Sequence, residues 1–305
     1  MERKINPIKL LQLGAITLGA AALYPIVKDS EGDIIRTSEI SDKINVVFGF
    51  NGVFVCEAQF IDRRYREITV KGETNILTSD TPRFGFNEIT TQISVLYNTL
   101  CLYPQELYLN SHKTQLFLAS NLKNEIRSKD GLGHKSLNGQ VRIPDDNGML
   151  ICLNLDSAHD ISEIYHHEFF HTISDPNIWY DFINTNQKYG LNDYPFDYPP
   201  SFENLVCEIT NISPDGSSSC YGSSNPNEDA AEIARRLMMG DRNFWREFEG
   251  SLNTDNTPNR DNALKDKVDI VIKHFDKITN GKMDYRFFFN LAQGILPNWG
   301  WPSLT

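Results

Sequence analysis

Apolar residues near the start of the chain predict short strands. The apolar runs 46–50 and 53–56 flank Asn51-Gly52, a dipeptide typical of the two-residue turn of a β-hairpin. Residues 66–70 are a weaker strand candidate, which ends at a lysine and a glycine. The pattern therefore predicts that this part of the chain is β-rich.

Helical periodicity dominates the rest of the chain. Residues 87–102 place apolar side chains on one helical stripe, at Ile89, Ile93, Leu96 and Leu100. Apolar runs predict strands at 116–118 and 149–155, and the stretch 131–139 predicts a loop. Further helices are predicted at about 161–174, 228–239, 262–278 and 284–293. These elements predict the α+β fold class.

The first of these further helices carries a metal-binding pattern, His167-Glu168-Phe169-Phe170-His171. Residues four apart lie on one helical face, so His167 and His171 can direct two imidazoles at one ion. Zinc binds neutral imidazole nitrogens at about 2.0–2.1 Å and keeps a position open for water in catalytic sites. Glu168 can reach such a water without being a ligand. Because the same pentapeptide also occurs on ordinary surface helices, a third ligand decides between the two interpretations.

The second of these helices supplies acidic residues at a matching spacing. Glu228 and Glu232 are four apart, and Glu228 lies 57 residues after the second histidine. If Glu228 binds the metal, the Glu232 carboxylate lies where it can accept a hydrogen bond from the far nitrogen of a zinc histidine. The alternative for Glu232 is an ion pair with Arg235 or Arg236 on a solvated face. Asp229 faces away from this side of the helix and is rejected as a ligand.

A tyrosine stands seven residues before the predicted glutamate ligand. The phenol of Tyr221 can donate a hydrogen bond to the oxyanion that forms when water attacks a carbonyl group. The alternative is that Tyr221 is a turn tyrosine that packs on a loop. The two interpretations predict different effects of removing its hydroxyl group on catalysis.

The segment 221–232 resembles the glutamate helix of the gluzincin metallopeptidases. It is most similar to the catalytic domain of anthrax lethal factor and to a group of bacterial zinc-binding metallopeptidases, in which a tyrosine–glycine pair precedes the ligand glutamate by the same seven residues. The doubled histidine His166-His167, with the apolar pair that follows it, also resembles the bacterial group. The resemblance covers about residues 149–240, and it is specific at the two helices.

The resemblance implies both a site and a fold. It implies zinc ligands at His167, His171 and Glu228, a general base at Glu168, an oxyanion donor at Tyr221 and an outer carboxylate at Glu232. The implied fold is a zincin-like domain with a small mixed sheet, an active-site helix and a glutamate helix. In zincins a strand at the place of 149–155 forms the sheet edge over the cleft, where a peptide substrate can add as a further strand. The aminopeptidases among the gluzincins carry a Gly-x-Met-Glu-Asn run, whereas 151–157 has no glutamate, which favours an endopeptidase.

Composition narrows the choice of partners. The 305-residue chain is long enough to bury a large core. Its formal net charge is −11 and its pI is near 5.1, so we expect no nucleic-acid partner. The expected partner is a peptide or protein substrate, and the oligomeric state stays open.

The amino terminus predicts export. Basic residues, among them Arg3 and Lys4, precede an apolar stretch at 10–27, as in a secretory signal peptide. An uncleaved membrane anchor and a buried first helix are the alternatives. The predicted organisation is a signal peptide or anchor at 1–27, a β-rich region at 28–85 and a zincin-like catalytic domain at 86–305.

Cysteine usage is compatible with export. Three of the five cysteines, Cys56, Cys101 and Cys152, lie in apolar surroundings typical of inert buried thiols. Cys207 and Cys220 bracket a polar loop that ends directly before the predicted oxyanion donor. If the protein is exported, a disulfide between them would stabilise the fold by about 3 kcal/mol on a chain-entropy estimate.

The predicted function is hydrolysis of peptide bonds by a zinc-dependent endopeptidase, with a metal-activated water and a glutamate base. Two other classes remain open. One is a non-catalytic zinc-binding protein or retired peptidase that acts by binding. The other is a secreted toxin or effector protease whose amino-terminal region recognises a host partner.

Overall fold

The computed structural model describes fourteen stretches of the chain, which contain seven strands of one mixed sheet, a separate two-stranded pair and eight helices. The described residues are 27–28, 34–35, 47–48, 50, 53–55, 58–70, 73–80, 86–108, 114–128, 131–145, 148–157, 160–191, 225–250 and 258–302. The strands are β1 (Val27–Lys28), β2 (Ile34–Ile35), β3 (Val53–Val55), β4 (Glu67–Val70), β5 (Glu73–Asp80), β6 (Thr114–Ser128), β7 (Gly131–Ser136), β8 (Gly139–Asp145) and β9 (Gly148–Asn154). The helices are α1 (Arg63–Arg66), α2 (Phe86–Leu100), α3 (Ile161–Ile173), α4 (Asn177–Lys188), α5 (Pro226–Met238), α6 (Arg242–Gly250), α7 (Pro258–Ile278) and α8 (Tyr285–Ala292). The α+β class is therefore confirmed.

The long strand β6 organises the sheet, whose order is β4-β5-β6-β9-β8. The first half of β6 pairs in parallel with β9 and with β3. Its second half pairs antiparallel with β5 and β7. The strand thus joins a parallel centre to an antiparallel arm, and the parallel centre lies beneath the helices.

The sheet is covered on both faces. On one face, α3 packs against β8 and β9, and α2 and α5 pack against α3 within the larger apolar cluster. On the other face, a smaller cluster around Tyr65, Leu77 and Phe117 joins β5, β6 and β9 to the short helix α1. Burial on both faces explains why β9 reads as a continuous apolar run, with Leu150 and Leu153 fully buried.

The predicted hairpin at Asn51-Gly52 is wrong. Val47 and Phe48 are helical, and Val53–Val55 pairs in parallel with β6 rather than with the preceding run. The turn dipeptide itself lies outside the described residues. Because apolar runs suit a buried parallel strand as well as a hairpin, the pairing over a long sequence distance prevails over the local signal.

Two further predictions about the sheet are wrong. The stretch 131–139 is not a loop, because β7 occupies Gly131–Ser136 and pairs with β6. The strand predicted at 149–155 is β9, but it is not the sheet edge, since it pairs with β6 on one side and with β8 on the other. Among the described strands, β8 forms this edge of the sheet. The edge prediction failed because a further strand, β8, whose sequence contains glycine and proline, adds outside β9.

A buried arginine anchors this edge strand. Arg142 of β8 is 2% exposed, and its Nη1 donates hydrogen bonds to the carbonyl oxygens of Arg66 (2.7 Å) and Asn75 (3.2 Å). Its Nη2 donates to Asn124 Oδ1 at 2.9 Å. A charge that is buried among neutral acceptors needs this many partners. Arg142 therefore links β8 to α1 and to the antiparallel strands β5 and β6.

The other predicted elements are confirmed. The helices α2, α3, α5, α7 and α8 and the strand β4 begin and end within four residues of their predicted bounds, whereas the strand predicted at 116–118 is the start of the much longer β6. Strands from both sides of residue 85 pair in one sheet, and the predicted domain division stays a prediction. Within the described stretches, no helix has both the length and the apolar character needed to cross a membrane. The predicted signal peptide lies outside those stretches except for its last residue.

Candidate metal centre

Helix α3 presents the two histidines of the motif. Asp160 caps its start and accepts a hydrogen bond from the Ser162 N–H. The helix packs between the sheet and α5, so that His166, His167 and Glu168 are all buried. Burial of three adjacent polar residues is costly unless each has a partner.

Helix α5 presents the acidic residues. The Asn225 side chain accepts hydrogen bonds from the Asn227 and Glu228 N–H groups, and Pro226 occupies the first helical turn. Glu228 therefore lies in the first turn, where the helix dipole favours a carboxylate. Glu232 lies one turn further along the same face.

Three donor atoms from the two helices form a small triangle. His167 Nε2 lies 2.9 Å from Glu228 Oε2, His171 Nε2 lies 3.4 Å from the same oxygen, and the two Nε2 atoms are 3.2 Å apart. A tetrahedral zinc ion with ligands at about 2.0–2.1 Å would separate neighbouring ligand atoms by about 3.3 Å. The side chains therefore fit a shared ion, and the group could hold a metal.

The other nitrogen of His167 faces a second carboxylate. Its Nδ1–H donates to Glu232 Oε1 at 2.9 Å, which fixes the tautomer and leaves Nε2 directed at the triangle. The sequence leaves open whether Glu232 contacts a histidine of the motif or an arginine. It does both, because Arg235 donates two hydrogen bonds to the same carboxylate.

The electrostatics of the metal-free group favour a cation. Burial lowers the pKa of His167, but its hydrogen bonds to Glu228 and Glu232 outweigh this effect and raise the pKa to about 10. Burial opposes ionisation of both glutamates, yet hydrogen bonds with the histidines hold the pKa of Glu228 well below its usual value. The hydrogen bond from His167 and the charge of Arg235 lower the pKa of Glu232 to about 2. A proton on His167 thus takes the place that a metal ion would take between these groups.

Glu168 faces the edge strand rather than Glu228. Its carboxylate accepts a hydrogen bond from the Val141 N–H of β8, and burial raises its pKa despite the nearby histidines. Gly139 of the same strand lies so close that an added methyl group would be 2.6 Å from Ile164 Cγ2 and 2.7 Å from Glu168 Cγ and Oε1. The start of β8 is therefore shaped around this side chain.

Tyr221, Cys207 and Cys220 are outside the described residues, so the oxyanion donor and the disulfide stay predictions. His166 points away from the triangle and shares a hydrogen bond of 2.8 Å with the Tyr103 hydroxyl. Burial lowers the pKa of His166 to about 3, as suits a neutral core histidine.

Two of the three cysteines predicted to be inert are described. Cys101 and Cys152 are free thiols. Burial raises the pKa of Cys101 to about 11 and raises that of Cys152 further. Thiols with such pKa values are not nucleophiles at neutral pH.

Two ionic contacts near the site, Arg235–Glu163 and Lys267–Asp229, go beyond the sequence-based expectations. Arg235 bridges Glu232 to Glu163 of α3, and Lys267 of α7 pairs with Asp229 at 3.0 Å. The spacing of Glu163, four residues before His167, was a signal for the first contact. No signal in the sequence pointed to the second, because it joins two helices that are distant in the chain.

Comparison of the chain with protein-family models, with curated proteins and with solved structures gives no match. The fold and the site therefore define an α+β protein with a buried His/His/Glu group that could hold a metal ion.

Proposed function

We propose that this protein is a zinc-dependent endopeptidase of the gluzincin type with a zincin-like fold. The observation that carries the proposal is the triangle of His167 Nε2, His171 Nε2 and Glu228 Oε2, with spacings of 2.9–3.4 Å. Two imidazoles and a carboxylate are the ligand set of many zinc peptidases, and Glu232 supplies the outer hydrogen bond that such histidines make.

Glu168 has the position and chemistry of a general base. When bound at such a site, zinc lowers the pKa of a water toward 7 and polarises a carbonyl group. Burial raises the pKa of Glu168, which brings the carboxyl group closer to the range in which it can both accept and release a proton. Glu168 takes the proton of the attacking water and passes it to the leaving amine. Tyr221 is the proposed donor to the oxyanion.

The edge strand β8 is the proposed docking place for the substrate backbone. Among the described strands it pairs only with β9, and it runs beside α3. A peptide in extended conformation can add to such an edge through main-chain hydrogen bonds. This binding mode needs no free terminus, which supports an endopeptidase.

The proposal is tested by metal content and by cleavage of blocked peptides. The full-length protein is expected to contain one zinc ion per chain by mass spectrometry, and to cleave a library of internally quenched peptides with blocked termini. The Glu228→Ala variant is expected to lose both properties. Glu67→Ala is the matched control, since it removes a carboxylate from a surface ion pair with Arg63.

The outcomes separate the functional classes. A wild-type protein without zinc, under conditions that do not strip metals, would contradict the whole proposal. One zinc per chain with no cleavage of any peptide would instead favour the non-catalytic zinc-binding protein. Cleavage that requires a free amino terminus would replace the endopeptidase by an aminopeptidase.

A further inference from the structure

Arg235 lies at the junction between the candidate metal centre and the start of α3. Its Nε and Nη2 donate to the two oxygens of Glu232 at 3.2 and 2.8 Å, and its Nη1 donates to Glu163 Oε2 at 2.8 Å. The Arg235 side chain is 22% exposed and that of Glu232 is 10% exposed. The guanidinium group therefore holds two carboxylates in a partly dehydrated place.

These contacts belong to a ladder between two helices that run in opposite directions. His171 faces Glu228, and one turn earlier on α3 His167 faces Glu232. One further turn earlier, Glu163 faces Arg235. The first two rungs contain the metal-binding triangle, whereas the third contains only charged side chains that bind no metal. The third rung sets the distance and rotation of α3 and α5 at the level where Glu232 reaches His167.

The fork of Arg235 determines how the Glu232 carboxylate is turned. Two parallel hydrogen bonds from a planar guanidinium group fix both the position and the plane of a carboxylate. The same Oε1 atom that accepts from Arg235 Nε also accepts from His167 Nδ1. Without the guanidinium group, repulsion from Glu228 four residues away would favour other rotamers of Glu232.

We propose that Arg235, anchored by Glu163, is a positioning residue that aims Glu232 at His167 and thereby sets the metal affinity of the site. The inference rests on the metal site of the proposed function, but not on peptidase activity. Outer hydrogen-bond partners of metal ligands affect metal affinity by about 10–100-fold when they are removed. Arg235 acts one contact further out, through the orientation of such a partner.

The neighbouring arginine provides a matched control. Arg236 is on the same helix, but it pairs with Asp241 at 3.1 Å and stacks over Phe244, away from the triangle. Arg235→Met and Arg236→Met therefore remove the same group at adjacent positions. Only the first removes a contact of Glu232.

The test is the zinc dissociation constant of the full-length protein, measured by competition with a chelating indicator. Arg235→Met is expected to weaken zinc binding by up to about 10-fold, the lower limit for a direct partner of a metal ligand, and Arg236→Met to leave the constant unchanged. Glu163→Ala is expected to weaken binding by a smaller factor, because Arg235 keeps its contact with Glu232. The visible absorption spectrum of the cobalt-substituted protein is expected to change in Arg235→Met and not in Arg236→Met.

Several results would overturn the inference. Equal dissociation constants for the two methionine variants would show that Arg235 has no special role. An unchanged constant in Glu163→Ala would remove the anchoring role of Glu163. If Arg235→Met does not fold, Arg235→Lys and Arg236→Lys decide in its place, since lysine keeps the charge but loses the fork. Equal binding by those two variants would contradict the proposal.

A wild-type protein that binds no zinc would contradict the proposed function and this inference together. Normal wild-type binding with an unaffected Arg235→Met variant would contradict this inference alone.

Discussion

Helix α5 carries an ionic group on each of two faces, and the two groups differ in burial and in charge balance. Toward α7, Asp229 pairs with Lys267 at 3.0 Å, and both side chains have 0% exposure. Toward α3, Glu228 and Glu232 contact His167 with side chains that are 21% and 10% exposed. The pair of Asp229 and Lys267, here called the closed pair, contains one anion and one cation. The group of Glu228, Glu232 and His167 with the side chains that they contact, here called the open group, contains more carboxylates than cationic side chains.

The charges explain the difference. The contacts of the open group set three carboxylates, those of Glu163, Glu228 and Glu232, against the guanidinium group of Arg235. With neutral histidines two of these carboxylates are in excess, and a divalent cation would balance them. In the metal-free protein the proton on His167 offsets one of the two. Adjacent residues of a helix point about 100° apart, so Glu228 and Asp229 can belong to these two groups although they are neighbours in the chain. The comparison teaches that an ion pair with balanced charges can be fully buried, whereas a partly exposed group with excess negative charge could hold a metal ion.

The largest expected effect concerns catalysis in the open group. Glu168→Gln is expected to lower the rate of peptide cleavage by about 10²–10⁴-fold, because an amide cannot act as a general base. Zinc content is expected to remain at the wild-type level, since the three ligand side chains are untouched. The measurement is kcat/KM on a quenched peptide beside zinc content. A variant that retains zinc and cleaves at the wild-type rate would refute the role of Glu168.

The next effect concerns the closed pair. Lys267→Met is expected to lower the free energy of unfolding by about 3–5 kcal/mol, since it leaves the Asp229 carboxylate buried without its cation. The measurement is urea unfolding of the zinc-free protein. A second substitution, Asp229→Leu, is expected to restore most of the loss, because it removes the uncompensated charge. If Lys267→Met were neutral and instead abolished zinc binding, the closed pair would be part of the site, and the comparison would fail.

The sequence predicted the side chains of the open group because helical spacing is local. The pairs His167/His171 and Glu228/Glu232 are each four residues apart, and this spacing places both members of a pair on one face wherever the helix lies. The same reasoning rejected Asp229 as a ligand, and the structure directs it at Lys267 instead. Neither prediction required knowledge of how the two helices pack.

Contacts between distant segments could not be predicted in the same way. The strand β8 pairs with β9 and supplies the Val141 N–H to Glu168, yet its sequence has no strong strand period. Likewise, Asn51-Gly52 gave a strong local hairpin signal, but Val53–Val55 pairs with a segment more than 60 residues away. Local propensity decides only where long-range packing does not. The closed pair and the buried Arg142 also belong to this class.

A smaller effect tests how β8 shapes the open group. Gly139→Ala is expected to lower kcat/KM by up to about 100-fold, because the added methyl group would displace the Glu168 side chain and small misplacements of catalytic groups are costly. The same methyl group would be 2.6 Å from Cγ2 of the buried Ile164, so the stability is expected to fall as well, and kcat/KM is compared on folded protein with the wild-type zinc content. Ser136→Ala, at an exposed position of the preceding strand, is the control. An unaffected rate in Gly139→Ala would show that the base does not depend on this close approach.

The smallest effect concerns the proton that His167 holds in the zinc-free protein. The pKa of His167 is raised to about 10, above its unfolded value of about 6.5. Its ion pairs therefore stabilise the zinc-free fold fully below about pH 6.5, and this contribution is lost as the pH rises through about 10. Zinc requires the neutral imidazole, so each ion that binds between pH 7 and 9 must release about one proton.

Zinc affinity is accordingly expected to rise about tenfold per pH unit in this range, or about 1.4 kcal/mol. The measurement is zinc titration in chelator-buffered solutions, corrected for the proton equilibria of the chelator. Glu232→Gln removes one of the carboxylates that raise the pKa of His167, so its affinity is expected to level off at a lower pH. In Lys267→Met the slope should match that of the wild type, because the closed pair does not contact His167. A flat affinity between pH 7 and 9 in the wild type would mean that His167 is already neutral before zinc binds, so that no proton balances the carboxylates of the zinc-free open group as Lys267 balances Asp229 in the closed pair.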